Sequence, residues 1–109
     1  MNTKNMKGLI KMLTFEKVLE VFKEYLEKDT ICEVVHTKQG YTVLYWDGKG
    51  EEWYSVDYCK TPEDMIDVLL NGYSDYLEQG YTHNRHNLTD DERMKIDNAC
   101  NALRQKCNS

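Results

Sequence analysis

The chain has 109 residues and a formal net charge of −5, and 40% of its residues are hydrophobic while 30% are charged. This length and composition predict one folded domain with a modest core, and they argue against a low-complexity, repetitive or bilayer-spanning chain. Acidic charge is concentrated in residues 47–92, where twelve acidic side chains accompany only Lys49, Lys60 and Arg85. A field of this sign repels phosphate and attracts basic partners, so it argues against direct nucleic-acid binding.

The N-terminal end contains three lysines and no apolar run of signal-peptide length. We expect a flexible leader over residues 1–13, a single domain over residues 14–107, a cytoplasmic location and no contact with a membrane. Met12 is a candidate alternative start, which would make residues 1–11 dispensable. The four cysteines match no zinc signature in their spacing, so we expect reduced thiols that serve as small apolar packing groups.

The first predicted helix begins after Thr14, a residue suited to the N-cap position, and runs to about Lys28. Charged residues occupy one side of this helix, and the other side is apolar. The apolar side contains Phe15, Val18, Leu19, Phe22, Tyr25 and Leu26. This spacing is typical of an amphipathic helix that packs on a core.

Three strands are predicted after this helix, because the hydrophobic period changes to two and β-branched and aromatic residues dominate. The predicted strands cover residues 31–37, 41–46 and 52–59. Glycines between them supply the backbone freedom of tight turns, and we place two-residue turns at Lys38-Gln39 and Gly48-Lys49. The result is a three-stranded antiparallel meander.

The second predicted helix begins at Thr61-Pro62, where the threonine can cap and the proline suits the first helical position. Apolar residues recur at helical spacing as far as Gly80, which we take as the helix stop. Gly72 lies inside this pattern, and it indicates either the close approach of a neighbour or a bend.

A polar loop over residues 81–87 precedes the last predicted helix, which opens with a capping box formed by Thr89 and Glu92. The element order is therefore αβββαα. This order predicts an α+β fold in which the helices pack on one face of the sheet.

The open face of the sheet is the candidate site. The turns placed above direct the following residues to the core: Cys32, Val34, Tyr41, Val43, Tyr45, Tyr54, Val56 and Tyr58. The open face then carries a tryptophan-centred patch with carboxylates around it, a composition typical of interaction sites. The candidate partner-binding residues are Glu33, Val35, Leu44, Trp46, Glu51, Trp53 and Asp57. Two alternatives stand: a helix or the leader covers this face, or a register slip of one residue exchanges the two faces.

Chemically reactive groups are few. His83 and His86 form an H-x-x-H pair in the polar loop, but no helix carries the pair and no cysteine is near it in sequence. Cys32 or Cys59 with His36 could form a nucleophile and a base, but the acidic surroundings would raise the thiol pKa. We expect no catalytic residue, no metal and no cofactor, and we retain a metal- or thiol-dependent enzyme as an alternative.

Double-stranded RNA-binding domains share the order helix, three strands, helix, and they place lysines at the start of the second helix to hold phosphates. The corresponding residues here are Thr61-Pro62-Glu63-Asp64-Met65, and no Lys or Arg occurs from Thr61 until Arg85. The charge therefore contradicts an RNA-binding function.

Three stretches, FEKVLEVFKEYLE, GYTVLYWDGK and EEWYSVDYCKTPEDM, together with the terminal helix, carry a resemblance. In these stretches the chain resembles small proteins without a known activity that conjugative and phage-like elements of Gram-positive bacteria encode. The resemblance covers about residues 12–107 and implies an accessory role in a bacterial cytoplasm. Small acidic inhibitors of phage origin, including anti-CRISPR proteins, are similar in element order and charge.

The leading hypothesis is therefore a non-enzymatic, acidic protein-binding module, an inhibitor or accessory factor, that engages a basic partner such as a nucleic-acid enzyme. An alternative is a structural or assembly protein that homodimerises through its open sheet face. The two hypotheses differ in oligomeric state and in how strongly salt weakens the interaction.

Overall fold

The computed structural model describes residues 12–109. Its elements are α1 (Phe15–Lys28), β1 (Cys32–Thr37), β2 (Gly40–Asp47), β3 (Glu52–Cys59), α2 (Pro62–Thr82) and α3 (Asp90–Cys107). The predicted α+β order αβββαα is confirmed. The predicted leader lies almost entirely outside the described residues.

All three helices begin at the predicted threonine caps. The hydroxyl groups of Thr14, Thr61 and Thr89 each accept the backbone N–H of the residue three positions later, at 3.1 Å. Glu92 completes the capping box, because its carboxylate accepts the backbone N–H of Thr89 at 2.9 Å. Each cap satisfies an N–H group that the first helical turn leaves without a partner.

Helix α2 ends at Thr82, so the predicted stop at Gly80 is wrong and the polar loop begins two residues later than expected. His83 takes the left-handed conformation, with φ at 50°, and donates its backbone N–H to the Gln79 carbonyl at 2.9 Å. This bond closes the last turn, and the backbone freedom of Gly80 is not used to end the helix.

Neighbouring side chains approach Gly72 closely, which is the first of the two alternatives that the sequence left open for this residue. A Cβ atom there would lie 2.1 Å from the Tyr45 hydroxyl and 2.7 Å from the Tyr25 hydroxyl. Tyr25 in turn donates its hydroxyl to the Asp29 carboxylate at 2.7 Å. The glycine therefore lets two tyrosines from α1 and β2 reach the backbone of α2.

The sheet has the order β1-β2-β3 and is antiparallel throughout. The turn between β1 and β2 is the predicted one, because Thr37 pairs with Gly40. The second turn is longer than predicted: Asp47 pairs with Glu52, and residues 48–51 form the loop. Glu51 has a φ of 51° in this loop.

A β-bulge next to this turn changes the alternation of β3. Trp46 pairs with Trp53, but the next pair is Tyr45 with Ser55, so Tyr54 is an extra residue without a partner in β2. Beyond the bulge every side chain of β3 points to the face opposite to the predicted one.

The predicted core positions in β3 are therefore wrong. Tyr54, Val56 and Tyr58 are 59%, 64% and 47% exposed. Ser55, Asp57 and Cys59 share the helix-facing side with Tyr45, Val43 and Tyr41, to which they are paired. Of these β3 residues only Cys59 is buried, at the end of the strand that contacts α2.

The core lies between the sheet and the helices, which lie on one side of it. Helix α2 contacts β2 and β3, Phe15 of α1 contacts the Tyr41 ring, and α3 packs against α1 and α2. The largest fully buried side chains are Phe22, Met65, Ile66, Leu69, Ile96, Val18, Val43 and Cys59. All four cysteines are free thiols, and three of them are buried. In the part of the chain that the structure describes, no helix is long and apolar enough to cross a membrane.

Candidate interaction surface

The face of the sheet opposite the helices is here called the outer face. Strand pairing places eight side chains on it in three cross-strand rows. They are Val35, Thr42 and Tyr58; Glu33, Leu44 and Val56; and Trp46 with Trp53. The opposite side of the same strands is packed, since Cys32 and Val43 are 3% and 0% exposed.

The two tryptophans lie together at the end of this face that is next to the turn between β2 and β3. Their rings lie 5.1 Å apart at an interplanar angle of 72°, an edge-to-face contact. Trp46 is 36% exposed and Trp53 is 44% exposed. Both indoles of the protein therefore support one another at the surface instead of filling the core.

The exposed aromatic area is large for so small a protein. With about 200 Å² per ring, the exposed fractions of Trp46, Trp53 and Tyr58 leave about 250 Å² of aromatic surface accessible, and the exposed side chains of Val35 and Val56 add to this apolar area. Patches of about 300–600 Å² are the largest on a typical monomer and are often functional. A stable protein interface buries about 800 Å² per partner, so an interface here must extend past the outer face.

Five of the candidate partner-binding residues lie together on the outer face: Glu33, Val35, Leu44, Trp46 and Trp53. Glu51 lies in the turn between β2 and β3, at the tryptophan end. Asp57 is on the wrong side for the predicted site, because it pairs with Val43 on the helix-facing side. The bulge at Tyr54 is the physical reason for this correction.

Sequence reasoning missed Val56 and Tyr58, which the bulge turns to the outer face. No residue near the bulge marks it in the sequence. Some bulges can be predicted because their extra residue is a glycine in left-handed conformation, but the extra residue here is Tyr54. The sequence pattern of β3 therefore predicts the wrong face for the residues that follow the bulge.

The acidic residues do not gather on the outer face, where Glu33 is the single charged strand residue. Several line a groove between β3 and the middle of α2, here called the β3–α2 groove. Its two adjoining parts have volumes of about 520 and 230 Å³. Its polar and aromatic lining includes Asp29, Tyr45, Tyr54, Asp57, Asp75 and Glu78. Other acids of the segment 47–92 occupy the first turns of α2 and α3.

The groove alters the ionisation of Asp75. Burial, followed by the neighbouring carboxylate of Glu78, raises the pKa of the Asp75 carboxyl above its usual value. Burial also raises the pKa of Tyr45, and the adjacent Cys32 adds to that shift. The groove thus disfavours the negatively charged form of these groups, and a bound cation would stabilise that form.

The structure does not support the candidate thiol site formed by a cysteine and His36. His36 stacks on Tyr41, with ring centroids 4.2 Å apart and an interplanar angle of 8°. Burial, with the nearby carboxylates of Asp57 and Asp64, raises the pKa of Cys59 to about 11. Such a thiol holds little thiolate at neutral pH and is a weak nucleophile.

The candidate metal site at the histidine pair has no third ligand nearby. His86 places its Nδ1 atom 2.7 Å from the carbonyl oxygen of Asn87. Across residues 12–109, no three His, Cys, Asp or Glu side chains form a group that could hold a metal ion.

No protein-family model, no curated protein and no solved structure matches this chain. Function must therefore be inferred from the geometry and charge of the surface. The outer face offers apolar contact and ring stacking, and the groove beside it offers carboxylates. These are interactions by which proteins recognise other proteins.

Proposed function

We propose that this protein is a non-enzymatic binding module whose outer face docks on a basic protein partner. The observation that carries the proposal is the exposed pair of indoles, Trp46 and Trp53, on a sheet face that the three helices leave uncovered. Tryptophan is over-represented among the residues that dominate binding energy. Folding does not require this exposure, since the core lies on the other side of the sheet.

Charge supports a basic partner. The chain has a net charge of −5, and the acids of residues 47–92 give that stretch most of the negative charge. Enzymes that act on nucleic acids present basic grooves to the phosphates of their substrates. We therefore propose an inhibitor or accessory factor of such an enzyme. The resemblance of the sequence to proteins encoded on mobile elements supports a bacterial cytoplasm as its location.

A second candidate function is self-association through the outer face. Glu33 is the one charged strand residue there, so two copies could meet without strong local repulsion. Sedimentation of the full chain over a concentration series separates the candidates. A monomer at high concentration removes the homodimer, and a dimer held by the outer face removes the proposal of a free docking surface.

The proposal is tested by affinity capture from a bacterial host lysate with the full chain and a Trp46→Ser, Trp53→Ser double variant. Met94→Ser is the matched control, because Met94 is 61% exposed on α3, away from the sheet. We expect a basic protein to be captured by the wild type and the control, to be lost with the double variant, and to be released by salt. Thermal melts establish that all three chains are folded. Capture that survives the loss of both indoles would contradict the proposal.

A further inference from the structure

This inference rests on the proposed function and concerns how the partner is held. The outer face alone is smaller than a stable interface needs, so the partner must also contact a neighbouring surface. The bulge brings such a surface next to the tryptophans. Trp53 lies on the outer face, while the next residue, Tyr54, lines the β3–α2 groove. A partner seated on the outer face therefore reaches the groove by passing over the edge of β3.

Aromatic rings form one wall of the groove. The rings of Tyr45 and Tyr54 have centroids 6.0 Å apart and are tilted by 39°. Gly72 and Asp75 of α2 lie opposite, and both parts of the groove share these four residues. The groove is thus continuous, with a π surface on one side and a carboxylate on the other.

The groove carries negative charge without a basic neighbour. Its lining contains four acidic residues and no Lys, Arg or His. The ion pairs among residues 12–109 lie elsewhere, between Lys95 and Asp91 and between Arg104 and Asp67. Asp29 already accepts the hydroxyl of Tyr25. Of the four groove carboxylates, Asp75 is the one that lines both parts of the groove, so we assign the partner's donor to it.

We propose that the β3–α2 groove receives an arginine side chain of the basic partner, with its guanidinium group between the Tyr54 ring and the Asp75 carboxylate. A guanidinium is planar and weakly hydrated, so it stacks on an aromatic face while its N–H groups form paired bonds with a carboxylate. A lysine ammonium is a strongly hydrated point charge and makes fewer of these contacts. Burial, followed by the carboxylate of Glu78, raises the pKa of Asp75, and a bound cation would stabilise the charged carboxylate against both effects.

The inference is tested by titrating the isotope-labelled full chain with a short oligoarginine peptide at low salt and following NMR chemical shifts. We expect the largest shifts at Tyr54, Gly72 and Asp75. Asp75→Asn should weaken binding about 10-fold, as loss of a charged hydrogen bond does. Glu63→Gln is the matched control: it removes one acid from the first turn of α2, outside the groove, and should have little effect.

A second pair of variants isolates the ring. Tyr54→Leu should weaken oligoarginine binding about 3-fold, while Tyr54→Phe should preserve it, because the π face is retained. Equal weakening by Asp75→Asn and Glu63→Gln would overturn the inference, since it would show attraction by the general field. Equal affinity for oligolysine, or shifts confined to the outer face, would also overturn it.

The two proposals can fail separately. Trp46→Ser with Trp53→Ser should leave oligoarginine binding to the groove unchanged. If partner capture needs the indoles while Asp75→Asn leaves that capture and peptide binding intact, the groove inference is wrong and the proposed function stands. If the groove binds the peptide but capture ignores the indoles, the proposed function is wrong.

Discussion

The two faces of the sheet come from the same three strands and have opposite fates. On the helix-facing side, Val43 and Cys59 are fully buried. On the outer face, Trp53 is 44% exposed and Val56 is 64% exposed. A scattered exposed apolar residue needs no explanation, but adjoining rings and aliphatic side chains on one face do. The contrast shows that packing against the helices accounts for the first face, and it supports the proposal that the second face contacts another molecule.

The largest expected effect comes from a matched pair of valines on the two faces. Val43→Ala should lower the free energy of unfolding by about 2–3 kcal/mol, through lost burial and a cavity. Val56→Ala should lower it by well under 1 kcal/mol, because that side chain is already mostly in water. Urea denaturation of both variants measures the difference. Similar losses for the two would break the contrast between the faces.

A smaller effect is expected at the contact between the helix-facing side and α2. Gly72→Ala should destabilise the protein by about 1–2 kcal/mol, because the new Cβ would meet the hydroxyls of Tyr45 and Tyr25. The better helix propensity of alanine offsets part of the clash. Adding Tyr45→Phe to this variant removes the nearer hydroxyl and should restore part of the stability. A Gly72→Ala variant as stable as the wild type would show that the two tyrosines do not approach α2 closely.

The smallest expected effect lies in the groove at the edge of the sheet. The pKa of Asp75 is raised in the folded chain, so its ionisation opposes folding. Asp75→Asn should therefore increase stability at neutral pH, by less than about 1 kcal/mol at this exposed site. The gain should vanish below about pH 3, where an ordinary aspartate with a pKa near 3.9 is already protonated. Thermal melts across this pH range test this prediction, and an Asp75→Asn variant that loses stability at neutral pH would show that the folded chain does not disfavour the ionised Asp75.

Much of the fold follows from local signals in the sequence. Thr14, Thr61 and Thr89 marked the helix starts because capping depends on a few adjacent atoms. Local signals also predict the turn between β1 and β2. They do not predict which face of β3 is buried, because the apolar series Tyr54, Val56 and Tyr58 looks like a core-facing alternation.

The candidate site was only partly predictable for the same reason. The tryptophans were placed correctly because Trp46 and Trp53 pair before the bulge. Asp57 and Val56 exchanged faces because they follow it. The groove depends on the approach of α2 to Tyr45, a tertiary contact. In the sequence, only Gly72 inside the helical pattern indicates this contact.

Acrylamide quenching of tryptophan fluorescence tests the central claim most directly, because both indoles of the full chain lie on the outer face. We predict ready quenching of both indoles in the dilute free protein, and protection of both when the basic partner is added. Indoles that are shielded from acrylamide in the dilute free chain would show that the outer face is already covered, and would contradict the account.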